Sequence, residues 1–215
     1  MNKRTSLSIS VRRHFIDEFF FSQKHLFHQG TKIIDVGGKR TEKRGLFNIE
    51  TYGTSVTYAN IDESSHPDII ASAENIPIPN SSYDIVIMGE LLEHVPNPRA
   101  VVIEAHRILK SGGVLLATVP FMVGIHSDPS DYGRYTDSFW KEVAKDNGFS
   151  KIVVEAQGTL FAVAALMIQH LFGAKKMSWR PIQIPLVLFL MWLDKKTTAP
   201  LLRAWTTGYG LVLTK

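Results

Sequence analysis

Residues 33–38 read Ile-Ile-Asp-Val-Gly-Gly: an apolar run closed by an acid and followed by a glycine pair. Ile33, Ile34 and Val36 suit a strand buried on both faces, as in a parallel sheet. Gly37 and Gly38 let the backbone turn tightly and approach a ligand with no Cβ in between. The stretch therefore predicts the first strand of an open α/β sheet with a nucleotide-type pocket at its carboxyl end. Alone it does not separate a dinucleotide site from other nucleotide-type sites or from a turn that binds nothing.

Working outward, Val11–Phe27 places Val11, Phe15, Ile16, Phe19 and Phe20 at helical spacing, with charges between them, and predicts an amphipathic helix. Residues 39–53 are polar and irregular. Strands are expected at Val56–Ile61, ending at Asp62, at Asp68–Ala71 and at Tyr83–Met88. Between the last two, Ile76-Pro-Ile-Pro is a loop, because proline supplies no ladder donor. A helix over 98–110, closed by Lys110-Ser-Gly-Gly, leads to a fifth strand at Val114–Val119. A polar loop over 124–136, a helix at Asp137–Asn147, a strand at Lys151–Glu155 and a final strand from Gly208 complete the pattern. Strands alternating with helices give an α/β three-layer sandwich with a mostly parallel sheet.

The chain has 215 residues, enough for one domain with a sizeable core. It is 45% hydrophobic and 20% charged, which excludes wholesale disorder. With no cysteine, disulfides, thiolate catalysis and cysteine-ligated zinc are excluded. The first ten residues lack the apolar stretch of a secretory signal, so a cytoplasmic address is expected. The net charge of +4 is unevenly spread: residues 156–215 carry +6 and the remainder −2. A nucleic-acid binder would carry its basic surface on the body of the fold, so no nucleic-acid partner is expected.

In an open parallel sheet the ligand sits beyond the carboxyl ends of the strands. The loops there offer Asp35, Gly37 and Gly38; then Asp62, placed to accept from two ribose hydroxyls; then Ser72-Ala73-Glu74-Asn75; then Gly89-Glu90-Leu91-Leu92-Glu93-His94. With these residues the chain resembles the class I S-adenosylmethionine-dependent methyltransferases, in particular the type 11 group. The resemblance covers about residues 30–155. It also rests on Tyr83-Asp-Ile-Val-Ile-Met, Glu104-Ala-His-Arg-Ile-Leu-Lys-Ser-Gly-Gly and the block His126-Ser-Asp-Pro-Ser-Asp-Tyr-Gly-Arg-Tyr-Thr.

The resemblance implies a Rossmann-like fold whose seven-stranded sheet ends in an antiparallel strand, Lys151–Glu155 pairing with Tyr209–Leu213. It implies S-adenosylmethionine as cofactor. Asp35, Gly37 and Gly38 would line its methionine end, Asp62 would hold the ribose, Ala73 and Glu74 would flank the adenine, and Met88, Gly89 and Glu90 would close the site. Two departures stand out: Lys39 and Arg40 where the family runs to a third glycine, and Ser72 where it often has an acid. Lys39 could pair with the methionine carboxylate. Methyl transfer needs a base only for a neutral acceptor, and His126, near Asp131 and Arg134, is the candidate. His94, after an apolar Leu-Leu pair, is expected to open a helix and orient the loop. A metal set of His126, Asp128 and Asp131 is too poor in acids for a hard cation, and no metal is expected.

Residues 159–172 and 186–193 are the most apolar stretches, and neither is long enough to span a bilayer. They are flanked by Lys175, Lys176, Arg180, Lys195 and Lys196, with Trp179, Trp192 and Trp205 close by. Basic flanks and tryptophans suit helices lying in a headgroup region, and a buried lid or homodimer-forming pair is the alternative. The chain is thus divided into an N-terminal helix region (1–29), a cofactor core (30–155), an apolar insertion (156–207) and a last strand (208–215). The expected activity is methyl transfer to a small-molecule, glycan or lipid-linked acceptor. A non-catalytic cofactor-binding or membrane-associated module is a second reading. A nicotinamide-dependent oxidoreductase is a third, against which Gly37-Gly38-Lys39-Arg40 does not fit Gly-x-Gly-x-x-Gly.

Overall fold

A computed structural model describes residues 10–41, 45–173 and 180–215. The stretch that opens the reading forms β1 (Lys32–Val36), an interior strand of the sheet. Around it lie β2 (Ser55–Asn60), β3 (Ile69–Ile70), β4 (Tyr83–Gly89), β5 (Leu109–Pro120), β6 (Lys151–Gln157) and β7 (Gly208–Thr214), in the order β3-β2-β1-β4-β5-β7-β6. The first five strands pair in parallel; β7 runs antiparallel to both β5 and β6. Ile152 faces Leu213 and Val154 faces Leu211, the expected pairing of the last two strands.

Strand alternation sends the apolar side chains to two layers. Ile33, Ile85, Ile87 and Leu116 pack under α1 (Val11–Ser22), through Ile16, Phe19 and Phe20. Ile34, Val36, Val86, Met88 and Leu115 pack under α2 (Pro98–Ile108) and α3 (Asp137–Asp146), through Val101, Ala105, Ile108, Trp140 and Val143. The apolar insertion forms α4 (Leu160–Gly173) and α5 (Arg180–Lys196), followed by the short α6 (Pro200–Arg203). Ala162, Ala165 and Leu166 of α4 pack on Val11 and Phe15 of α1, with Val187, Leu190 and Met191 of α5 behind them.

Four local expectations change. The first helix stops at Ser22, whose Oγ bonds the Phe19 carbonyl at 2.7 Å, and a short 3₁₀ turn over Lys24–Leu26 carries the chain to the buried Phe27. Residues 39–53, expected to be irregular, include a 3₁₀ turn at Ile49–Tyr52. Lys110-Ser-Gly-Gly lies within β5 as a bulge: Tyr83 pairs with Leu109, yet Ile85 pairs with Val114. Gly112 takes φ +75°, and a Cβ on Gly113 would lie 2.9 Å from the Lys110 carbonyl oxygen. Finally, His94 sits in a turn, and α2 starts only at Pro98, capped by the Asn97 side chain on the Ala100 N–H at 3.2 Å.

Candidate active site

A cleft of about 660 Å³ opens where β1 and β4 end against the start of α1. Asp35, Gly37, Gly38, Lys39, Gly89 and Glu90 line its strand side. His94, His126 and Asp128 line a second wall, and Leu166 and His170 of α4 a third.

The glycine pair is built for close backbone approach. Gly37 has φ +80°, donates its N–H to the Ala59 carbonyl at 2.8 Å, and shares Asn60 Nδ2 with Gly38, both carbonyls at 3.1 Å. A Cβ on Gly38 would fall 2.2 Å from Asp35 Oδ2, so any larger residue displaces that carboxylate. Of the two basic residues that follow, Arg40 turns away: it pairs with Asp68 and lies 5.0 Å over the Tyr58 ring. Lys39 stays at the cleft.

Glu90 has φ +55°, a strained value for a residue with a Cβ. Two forces hold it there. Its N–H donates to the Thr118 carbonyl at 3.0 Å, and Arg12 grips its carboxylate at two points, Nε to Oε2 at 2.9 Å and Nη2 to Oε1 at 2.6 Å. Arg12 also donates to the Val119 carbonyl at 2.9 Å and to Gln157 Oε1 at 2.5 Å, joining α1 to β5 and β6 as well as to the residue after β4. Burial opposes ionisation of Glu90, but the Arg12 guanidinium outweighs it and holds the carboxyl below its ordinary range. The sequence carried a signal for Arg12: it lies in phase with Phe15, Ile16 and Phe19 on the buried face.

Glu93 is the second residue that sequence reasoning missed. Its side chain is 1% exposed, and neither carboxylate oxygen has a hydrogen-bond partner among the described residues. Burial, and then the neighbouring Glu90 charge, push its pKa up to about 8. His94 Nε2 lies 3.6 Å and His126 Nε2 3.9 Å from its Oε1. His126 is tied to its loop, its backbone N–H donating to Asp131 Oδ2 at 2.9 Å, while Asp131 is clamped by Arg134.

The cleft thus gathers Asp35, Gly37, Gly38, Lys39, Gly89, Glu90 and His126. Asp62, Ser72, Ala73 and Glu74 lie outside it, in the turns after β2 and β3. Asp62 is exposed, with Oδ1 accepting from the Ser64 N–H at 2.9 Å and hydroxyl at 2.7 Å. Ser72 Oγ accepts from the Glu74 N–H at 3.3 Å. Met88 is fully buried toward α2, because alternation on β4 gives the cleft Ile87 and Gly89 instead.

Residues 40–117 match the model of a methyltransferase domain family. The chain is 37% identical over 87 residues to the ubiquinone biosynthesis O-methyltransferase of Photorhabdus laumondii, covering 40% of this chain and 32% of that one. Over 103 residues it is 29% identical to 2-methyl-6-phytyl-1,4-hydroquinone methyltransferase 1 of Oryza sativa, covering 41% and 31%. Over residues 40–117 the chain is thus similar to the methyltransferase domain family. It spans about a third of the length of these curated relatives. The fold is that of a SAM-dependent methyltransferase from Archaeoglobus fulgidus, with a TM-score of 0.61, 13% identity and 94% of each chain covered.

Proposed function

We propose that this protein transfers a methyl group from S-adenosylmethionine to a small-molecule acceptor with an apolar portion. The observation that carries the reading is the Gly37-Gly38 loop at the end of β1, held open by Asn60 and facing a cleft large enough for the methionine end of the cofactor and an acceptor. The loop fits the cofactor because no Cβ stands between its backbone and the cleft. Asp35 and Lys39 would hold the methionine end, Asp62 the ribose, and the Ser72–Glu74 backbone the adenine, with Gly89 and Glu90 closing the site. When bound, S-adenosylmethionine supplies an activated methyl group, so the protein's own task is alignment and exclusion of water. Arg12 serves that task by fixing Glu90 and the end of β4. His126, with Glu93 behind it, stands where the proton of a neutral hydroxyl or amine is handled.

The apolar portion of the acceptor has a place to lie. A groove formed by Met122, Val123, Leu166, Met167 and Leu171 adjoins the cleft, sharing Val123, Gly124, Leu166 and His170 with it. It leads along α4 to the outer face of the insertion, which favours an amphipathic or lipid-linked acceptor reached from a membrane surface. Calorimetry with S-adenosylhomocysteine and with NADH tests the central claim. Saturable heat with the first and none with the second is expected; the reverse, or no heat with either, sinks it.

A further inference from the structure

Three side chains able to ligate a metal converge beside the glycine loop from two segments distant in sequence. Glu93 and His94 come from the turn after β4, and His126 from the loop after β5. One ligand atom from each lies within 4.8 Å of the other two, and the two Nε2 atoms are 3.6 and 3.9 Å from Glu93 Oε1. Donors each at ~2.1 Å from a tetrahedral ion lie roughly 3.4 Å apart, so small side-chain rotations bring the set onto one centre.

Two further features point to a cation. Glu93 is buried with both oxygens unpartnered among the described residues, a costly arrangement unless something positive completes it. Each imidazole also has Nδ1 against a backbone carbonyl, Ser130 at 2.5 Å for His94 and Gly124 at 3.1 Å for His126. Donation through Nδ1–H leaves the Nε2 lone pair directed at Glu93, the arrangement in which ligating histidines are held by outer partners. For His126 the other neighbours of Nδ1 are Asp131 Oδ2 at 3.7 Å and Arg134 Nη2 at 3.4 Å. Asp131 already takes both Nη atoms of Arg134, and its negative charge favours the protonated Nδ1.

We infer that Glu93, His94 and His126 bind one first-row divalent cation of the zinc class. Two imidazoles and one carboxylate match zinc and its neighbours, whereas magnesium and calcium take oxygen donors. Three protein ligands leave a position open, and since His94 and His126 line the cleft, that position suits an oxygen of the acceptor. Glu90 takes no part, because Arg12 holds both of its oxygens. The set weighed and set aside in the sequence, His126 with Asp128 and Asp131, differs from this one, and Asp131 is committed to Arg134. Cation binding stands apart from the methyl-transfer reading; only the role of the open position rests on it.

The test uses the untagged full chain, stripped with EDTA and titrated with Co²⁺ and Zn²⁺, read by Co²⁺ visible absorption and by calorimetry. One equivalent is expected, with the intense visible bands of a four-coordinate N/O site, displaced by Zn²⁺ and not by Mg²⁺. His126→Ala, at a half-exposed position that should leave the fold intact, and Glu93→Gln should each weaken Zn²⁺ at least tenfold. His25→Ala, on an exposed turn, should bind as the parent does. Absence of a stoichiometric Co²⁺ spectrum, or parental Zn²⁺ affinity in His126→Ala, overturns the site and leaves Glu93 and His126 as an acid–base pair. S-adenosylhomocysteine titrated into the same samples separates the claims: its binding without zinc sinks the metal site alone, and zinc binding without it sinks the methyl-transfer reading alone.

Discussion

Two residues near the glycine loop decide most of the local chemistry. Arg12 is 6% exposed and neutralises Glu90, the strained residue that follows β4. Removing one partner of such a pair leaves a buried charge uncompensated, so Arg12→Met should cost about 3–5 kcal/mol in urea unfolding, and adding Glu90→Gln should restore much of it. Gly38 tests the cofactor side. Gly38→Ala would push the Asp35 carboxylate out of its place, and S-adenosylhomocysteine affinity measured by calorimetry should fall tenfold or more with little change in melting temperature. The glycine pair, Asp35 and His126 were legible in the sequence because residue type alone announces them. Glu93 was not, because its meaning depends on His126, 33 positions along the chain, arriving beside it.

Among the elements, α2 shows how a polar side chain replaces missing backbone donors. Glu104 is 7% exposed; it accepts from the Ile76 N–H at 2.6 Å and pairs with Arg107, which donates to the Ile76 and Ile78 carbonyls. The proline loop thereby gains the ties that Pro77 and Pro79 cannot make. The Arg107 hydrogen bond outweighs burial and holds the Glu104 carboxyl below its ordinary 4.5. A depressed folded-state pKa contributes stability that is complete above the unfolded value and is lost as pH falls through the folded one. Thermal midpoints measured from about pH 6 down to 3 should therefore fall more steeply for the parent than for Glu104→Gln. Asp194 acts similarly in the insertion: the single acid of that basic region is 8% exposed, and its Oδ1 accepts from the Thr159 and Ala162 N–H groups to cap α4. Helix and strand identities were readable from hydrophobic period, but their ends were not. Ser22, Asn97 and the 110–113 bulge are set by single side-chain bonds and by which strand lies alongside.

Over the whole molecule, more than half of the exposed large apolar side chains among the described residues lie on the insertion: Met167, Leu171, Ile182, Leu186, Leu188, Phe189, Trp192, Leu201 and Trp205. No helix among the described residues is long and apolar enough to cross a membrane. Of the residues expected to flank these helices, Lys195 pairs with Glu18 at 3.3 Å and Lys196 is exposed, while Lys175, Lys176 and Trp179 lie outside the described residues. If this face meets lipid, the full chain should float with anionic liposomes, and Phe189→Ser with Trp192→Ser should reduce the bound fraction several-fold, since each buried aromatic contributes about 1.5–3 kcal/mol. Equal flotation together with a dimer by light scattering would assign the face to a second copy instead. The sequence by itself determined the run of strands and helices and the glycine loop, because these follow from local residue type and from periods of two and 3.6. Only the tertiary structure decided that Arg12 neutralises Glu90, that Glu93 meets His94 and His126, and that the apolar groove adjoins the cleft. These are contacts between segments far apart in the chain, and no local pattern encodes which buried charge will find which partner.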